Sequence, residues 1–523
     1  MDRRQFQRWA QASAMAWALI PWSQRTSAQT AIERNWKNSP FQLGVASGSP
    51  RHDSVVLWTR LLIGDEDRQS ADSDAVVGRY EVYADENLRR LVQRGEWRTD
   101  ASRGHSVHVT LQGLSPSRNY WYRFICGDAT SPVGRTQTTP APDADVARLR
   151  LVLASCQNYE HGLYVAHRDI ARQDIDLVLF VGDYIYESST TRNRVRQHRG
   201  PEPKTLSEYR AHYAQYKSDP DLQACHAAHP WVLMWDDHEV VNDYANQSDP
   251  AYTDPAVFLA RRAAAYRAYF EHQPLRLGPD PGSPYSASMR LHDRLPWGRL
   301  ADLWTLDCRQ YRDPQACPDP VKGGGRVVLQ CAELSQPKRS ILGAEQEQWL
   351  FQGMRRSPRQ WKLLGQSSLI ASTRIDSPLG KTTYTDGWDG YPMTRRRLLE
   401  VVADARLSDV VTLGGDVHMN VASVLRLEPN DPQSAPLASE FVTTSISSRG
   451  MSEQLLSAIR LSNPDLQYAR ADERGYALLE CTPKQLQTEF RTTPHPAGAS
   501  EVLKVQARFV VEAGKAGPQA TTS

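Results

Sequence analysis

The spacing of apolar positions changes once along this chain. Between residues 41 and 138 apolar residues alternate with polar ones in short runs: SVVLWTRL (54–61), GRYEVYAD (78–85), HSVHVTLQGL (105–114) and YWYRFICG (120–127). Alternation of β-branched and aromatic residues, broken by turn residues such as Ser115–Asn119, predicts a small all-β sandwich. The stretch Thr138–Asp143 predicts the linker that leaves it. From about residue 148, continuous apolar runs take turns with segments of helical spacing. LRLVLASC, DLVLFVGD, WVLMWDD, LADLWTLDCR, WKLLGQSS and VVTLGGDVH read as buried strands. LYVAHRDIAR, LSEYRAHYAQY, AVFLARRAAAYRAYF, AEQEQWLFQGM and RRRLLEVVADARL read as helices between them. EFVTTSIS and YALLECT add late strands. This pattern predicts an α/β layered domain over 148–495, with long loops at 187–204 and 309–340. Residues 497–523, where Ala, Gly, Ser and Thr recur, are expected to be a flexible tail.

Composition narrows the setting. The 62 basic and 60 acidic residues among 523 leave a net charge of +2, which gives no reason to expect nucleic acid or an anionic membrane as partner. The N-terminus reads Arg3-Arg4-Gln5-Phe6, then a weakly apolar stretch over 10–22, then Thr26-Ser27-Ala28. This is the pattern of a twin-arginine export signal over residues 1–28. Its apolar part is shorter than the roughly 20 residues that span a bilayer. The expectation is passage through the twin-arginine translocation machinery to a periplasmic or secreted location, with no permanent membrane span. That compartment permits disulfides. Of seven cysteines, Cys317 and Cys331 flank the loop Lys322–Gly325, with Cys308 as a rival partner, and connectivity stays open. An odd count leaves at least one thiol free or ligated, and Cys156 is the candidate.

The strand ends carry the chemistry. Cys156, Asp183, Asp236/Asp237 and Asp416/His418 all follow apolar runs, where the functional groups of open α/β sheets gather. One aspartate at such a place is often a helix N-cap; four coincidences predict a metal cluster. Asp183 and Tyr186 are three apart, so one turn can aim both at one ion. A phenolate, a thiolate and an imidazole (Tyr186, Cys156, His418) point to Fe3+. Asp183 could bridge to a second ion, with Asp237, Asn242, Asp243 and Asp416 completing an oxygen-rich Ca2+ site. Clustered cations clamp a phosphate and activate an oxygen nucleophile, so hydrolysis of phosphate esters is the natural reaction. His238 would bind the phosphoryl group or protonate the leaving oxygen; the competing role is orienting a ligand. Arg262 and Trp388 are candidate substrate contacts, with Lys381, Tyr384 and Asp389 near them, although solvated arginines are the norm on helices.

Four motifs in order, Ser155-Cys156-Gln157, GDYIYE (182–187), WDDHEVVNDY (235–244) and GGDVH (414–418), resemble those of the alkaline phosphatase D family. FQLGVASGSPRHDSVVLWTRL (41–61) is similar to its N-terminal β-sandwich, and LDCRQYRD (306–313) and WDGYP (388–392) to further stretches. LQGLSPSRNYWYRF resembles the end of a fibronectin type III-like module. The resemblance implies a calcineurin-like metallophosphoesterase fold, a four-layer αββα sandwich behind a small all-β domain. It implies one Fe3+ with Ca2+, and action on phosphomonoesters, with phosphodiester cleavage in some members. Carried over by position, Cys156, Asp183, Tyr186 and His418 match the iron side. Asp183 would bridge to a calcium side joined by Asp237 and Asp416, with Asp236 and Asn242 as further candidates. His238 matches the histidine of the related Asn-His-Glu motif, Asp237 standing in the asparagine's place. Cys308 stands where threonine is expected, which raises the prospect of an extra disulfide. The leading reading is an alkaline phosphomonoesterase with His238 and Asp183 as catalytic residues. The alternatives are a phosphodiesterase, or phospholipase D-like enzyme, acting on phospholipid or teichoic acid, and a non-enzymatic exported binding protein. The intact set of clustered anions stands against the last.

Overall fold

The computed structural model describes residues 35–64, 67, 75–276 and 289–521. The expected export signal, 1–28, lies outside the described residues. Two large sheets form the centre. The first has ten strands, and its middle is Leu149–Ala154, Leu177–Val181 and Pro230–Met234, paired in parallel with Leu179 opposite both Leu153 and Val232. The second has seven strands, with Ala301–Thr305, Trp361–Gly365, Val410–Gly414 and Pro436–Val442 parallel at its centre.

Successive side chains of a strand point to opposite faces, and this sorts the core. Leu151, Leu153, Leu177, Leu179 and Val181 face Leu363, Val411, Leu413 and Phe441 of the second sheet. Val152, Ala154, Val178 and Phe180 face a layer that includes the helices Leu206–Lys217 and Pro255–His272. The second sheet packs its outer side on Ala344–Arg356, Pro392–Asp404 and Glu453–Ser462. The result is four layers, αββα. It explains why the central strands are largely apolar rather than alternating: both faces are covered. Among the described residues no helix is long and apolar enough to cross a membrane.

The N-terminal strands form an all-β unit, as their alternation predicts. Val76–Tyr83, Leu91–Thr99, Asn119–Cys126, Ala129–Thr130 and Gly134–Gln137 make one sheet. It packs Tyr80, Val82, Tyr122 and Phe124 onto Val55, Leu57, Val107 and Val109 of the opposing strands. Those opposing strands, Val45–Gly48, Val55–Arg60 and Ser106–Leu111, belong to the ten-stranded sheet. Val45–Gly48 pairs in parallel with Pro230–Met234, Ser47 opposite Pro230. Pairing the open edge in this way satisfies backbone groups that an isolated sandwich would leave exposed.

Two expectations are corrected here. The tail is not frayed throughout: Lys504–Glu512 pairs antiparallel with Gln485–Thr493, and Phe509 and Val511 are buried. The alternation in KVQARFVVE carries that strand, and the small polar residues around it concealed it. Cys308 forms no extra disulfide; it is a buried free thiol 4.0 Å from Gln366 Oε1. The disulfide is Cys317–Cys331, closing a separation of 14 residues. A loop of that length should contribute up to about 3 kcal/mol by restricting the unfolded chain. Replacing both cysteines by serine is therefore expected to lower the urea midpoint; an unchanged midpoint would contradict it.

Candidate metal centre

After three of the central strands the chain turns sharply through a residue that is not glycine. Cys156 (φ 60°), Asp183 (φ 59°), Asp416 (φ 65°) and His418 (φ 53°) all occupy the left-handed region. Such residues are uncommon, and the strain they hold tends to collect at functional sites. One carboxylate fixes two of the turns. Glu239 accepts the backbone N–H groups of Asp183 (3.2 Å), Tyr184 (2.6 Å) and Asp236 (2.8 Å), tying the second strand end to the third. Gly182 makes that approach possible, because a Cβ there would sit 2.6 Å from that of Asp236. Glu239→Gln replaces an acceptor oxygen by an NH2 group that faces backbone donors. Bound metal and turnover are expected to fall about 10–100-fold, as for other residues that orient metal ligands. Wild-type metal content and rate in that variant would remove Glu239 from this role.

The turns bring together three adjoining groups of potential ligands. Cys156, Asp183 and His418 present ligand atoms within 4.8 Å of one another; so do Asp183, Asp237 and His238, and so do Asp237, Asp243 and Asp386. Asp183 and Asp237 each belong to two groups, the arrangement expected of carboxylates that bridge neighbouring ions. Tyr186 completes the first group: its hydroxyl donates to Asp183 Oδ2 (2.9 Å) and meets His418 Nε2 (3.0 Å). Asp183 Oδ1 is buried and, among the described residues, has no hydrogen-bond partner. Such an orphan is costly unless something else occupies it. Burial, reinforced by Asp183, pushes the Cys156 thiol up, and burial with neighbouring carboxylates does the same to Asp183 and Asp416. Asp243 is raised to about 7 by burial and then by Asp386. Bound cations would reverse these shifts, so the donor set fits metal ions.

Inside the protein, Arg309 offsets part of this charge. Its guanidinium lies 2.5 Å from Asp236, 3.6 Å from Asp237 and 2.9 Å from Asp386, and Arg312 lies 3.3 Å from Asp386. His238 donates from Nδ1 to Glu187 (2.6 Å) and packs against the Tyr186 ring, centroids 4.1 Å apart. Burial opposes its charge, but Glu187, Asp237 and Asp183 outweigh burial and hold it protonated well above the ordinary histidine range.

Not every expected residue reaches this centre. Asp236 is bound by Arg309 and lies in none of the three groups. Asp416 lies in none of the three groups either, but it is half-buried at the edge of the centre, where its charge acts on Cys156 and those of Asp236 and Asp237 act on it, and its carboxylate accepts from Ser368 Oγ (2.8 Å). Asn242 is exposed on the turn after His238, and its backbone N–H donates to Glu187 (3.0 Å). Trp388 is no pocket wall. It is fully buried in the core beneath the second sheet, donating to Gln366 Oε1 (2.9 Å), because the short helical turn carrying it packs inward. Arg262 is likewise buried on its helix and bonded to the Asn246 carbonyl, so it supports a loop instead of facing solvent or substrate. Asp389 pairs with Arg395 (2.8 Å), and Lys381 with Asp376 (3.3 Å). Tyr384 does reach the centre, donating to Asp243 Oδ2 (3.2 Å) while half exposed. Asp386, Arg309, Arg312, Glu187 and Glu239 were not foreseen as parts of the site. Arg309 and Arg312 lie in LDCRQYRD, but its role as a counter-charge has no signal in spacing.

Layers and ligands of this kind define a metallophosphoesterase, a metal-dependent phosphoric ester hydrolase. The chain belongs to the PhoD-like phosphatase family, whose profile matches residues 151–490, with the N-terminal domain of the same family matching 25–140. It is 40% identical over 502 residues to alkaline phosphatase D of Bacillus subtilis (strain 168), covering 94% of this chain and 84% of that protein. A solved structure of PhoD superposes with a TM-score of 0.87 at 39% identity, covering 94% of this chain and 93% of the other. The purple acid phosphatase PPD1 of yellow lupin (Lupinus luteus) shares the fold at 11% identity, with a TM-score of 0.56 over 91% of this chain and 74% of that one.

Proposed function

We propose that the protein is an exported alkaline phosphomonoesterase, with Fe3+ held by Cys156, Asp183, Tyr186 and His418 and Ca2+ held by Asp237, Asp243 and Asp386. Asp183, whose carboxylate comes within 4.8 Å of Asp237, would be the ligand shared between the two ions. The observation that carries this reading is its orphaned oxygen, placed where two ligand groups meet. Thiolate, phenolate and imidazole suit a ferric ion, and a carboxylate-only group suits calcium. When bound, the ions would neutralise phosphoryl charge and sharpen an oxygen nucleophile. The protein's own contribution is the proton. His238, kept charged and aimed by Glu187, donates to the phosphoryl group or to the departing oxygen. The Tyr186 ring fixes the imidazole plane, and Arg309 holds the acidic floor together from below. Residues 41–138 and 148–495 are read as the working units, with 1–28 directing export to the periplasm or beyond through the twin-arginine translocation machinery.

The test is hydrolysis of p-nitrophenyl phosphate against bis-p-nitrophenyl phosphate, each with added Ca2+ or chelator, together with elemental analysis of the protein. Calcium-dependent monoester turnover by iron-containing protein is expected. A diester preference would move the reading to a phosphodiesterase, and active protein without either metal would end it.

A further inference from the structure

The connection from Glu187 to Lys204 is pinned on both sides of the metal centre. It starts at Glu187, whose carboxylate holds His238 (2.6 Å). At Arg192 and Asn193 its carbonyls accept from the Arg449 guanidinium (2.7 and 2.5 Å). Arg449 in turn accepts from His418 Nδ1 on its own carbonyl (2.6 Å), and its N–H donates to His161 Nδ1 (3.4 Å). Residues 187–193 therefore run from the His238 side of the centre to the His418 side. Arg196 then anchors the chain, donating to Asp219 (2.5 Å) and to the carbonyls of Tyr159 (3.0 Å) and Gly162 (2.7 Å).

This segment is strongly basic, carrying Arg192, Arg194, Arg196, Arg199 and Lys204 against only Glu187 and Glu202. Both acids are committed elsewhere, Glu187 to His238 and Glu202 to Arg261 (2.7 Å). Arg196 has Asp219. Among the described residues no carboxylate pairs with Arg192 or Arg449, and Arg192 is exposed. Arg194 comes no nearer than 3.9 Å to Glu160, a carboxylate already accepting the N–H groups of Thr190 and His198. Arg192 and Arg194 thus stand exposed on the stretch of chain that the Arg449 guanidinium holds by its backbone, with only the shared Glu160 carboxylate near Arg194, in a chain whose charge is otherwise balanced. Folding gives no reason for this, since like charges repel and neither Arg192 nor Arg194 covers core. Guanidinium groups suit phosphate and carboxylate geometry, and a cationic rim concentrates anions at a cleft.

We propose that Arg192, Arg194 and Arg449 form a second anion subsite, so that preferred substrates carry a further phosphate or carboxylate beyond the ester that is cleaved. The proposal rests on the phosphoric-ester reading of the metal centre. The test compares kcat/KM of the metal-loaded protein for propyl phosphate, the bisphosphates of propanediol and hexanediol (corrected for their two ester groups), and the phosphate ester of hydroxypropanoate. At least one doubly anionic ester should be favoured by about tenfold, the value of one charged contact, and the preference should shrink with added salt. The double variant R192Q/R194Q should abolish that ratio, while Lys204→Gln, of the same charge loss per residue, should leave it in place. A bisphosphate preference alone identifies the second group as phosphate, and one shared with the hydroxypropanoate ester identifies any anion. Equal rates for all esters, or a preference that survives the double variant, overturn the subsite. Should no ester be cleaved, the hydrolase reading falls separately. Calorimetric binding of propane bisphosphonate against propylphosphonate then decides the subsite by the same comparison of variants.

Discussion

Asp183→Asn is expected to lower turnover by at least about a hundredfold, and iron and calcium content should fall with it, because one substitution weakens two adjoining ligand groups. Asp183 belongs to the Cys156–His418 group and comes within 4.8 Å of Asp237, which it would join on the calcium side, and among the described residues its Oδ1 has no hydrogen-bond partner. The amide keeps the shape and the bond from Tyr186 but removes the bridging charge. Steady-state turnover and elemental analysis check the two halves independently. A variant with wild-type rate and full metal content would sink the bridging assignment. A slow variant with full metal content would instead place Asp183 in the chemistry alone.

Arg309→Met should produce the largest loss of stability among substitutions around the site. The guanidinium is fully buried and lies against Asp236, Asp237 and Asp386. Removing one partner of a buried ion pair strands the other charge, at a cost of about 3–5 kcal/mol. Urea unfolding in the presence of chelator should show the full deficit, and added metal should relieve part of it. The pH dependence has a definite sign. Burial already raises the Asp236 carboxyl against the pull of Arg309, so without Arg309 its folded value rises further above the unfolded one. Stability is then retained at low pH and lost as pH rises through the folded value. The deficit should therefore be small near pH 4, roughly the unfolded carboxyl value, and large at neutral pH. A deficit independent of pH would mean that Arg309 acts through packing.

How much of this was legible beforehand differs from residue to residue. Leu149–Ala154, Leu177–Val181 and Val410–Gly414 could be read as strands because strands buried on both faces are largely apolar. Cys156, Asp183, Tyr186, Asp237 and His418 could be expected to gather because each follows such a strand within a few residues, and the structure brings them together. Trp388 and Arg262 show the opposite case. Residue type suggested a pocket wall and an anion contact, but burial is a property of neighbours far along the chain, and both face inward. Asp386 comes 149 positions after Asp237, the difference of their numbers, and nothing local marks the two as members of one group.

By itself the sequence determined most of the central strands and the helices between them, and which strand ends carry donors, since period and residue type are local properties. Only the tertiary structure decided that Val45–Gly48 extends the central sheet, that Arg309 pairs with Asp236, and that Glu239 ties two turns together. Those outcomes depend on close approach between distant segments and on competition among buried charges, where partners a few ångströms apart set the energy and sequence distance carries no information.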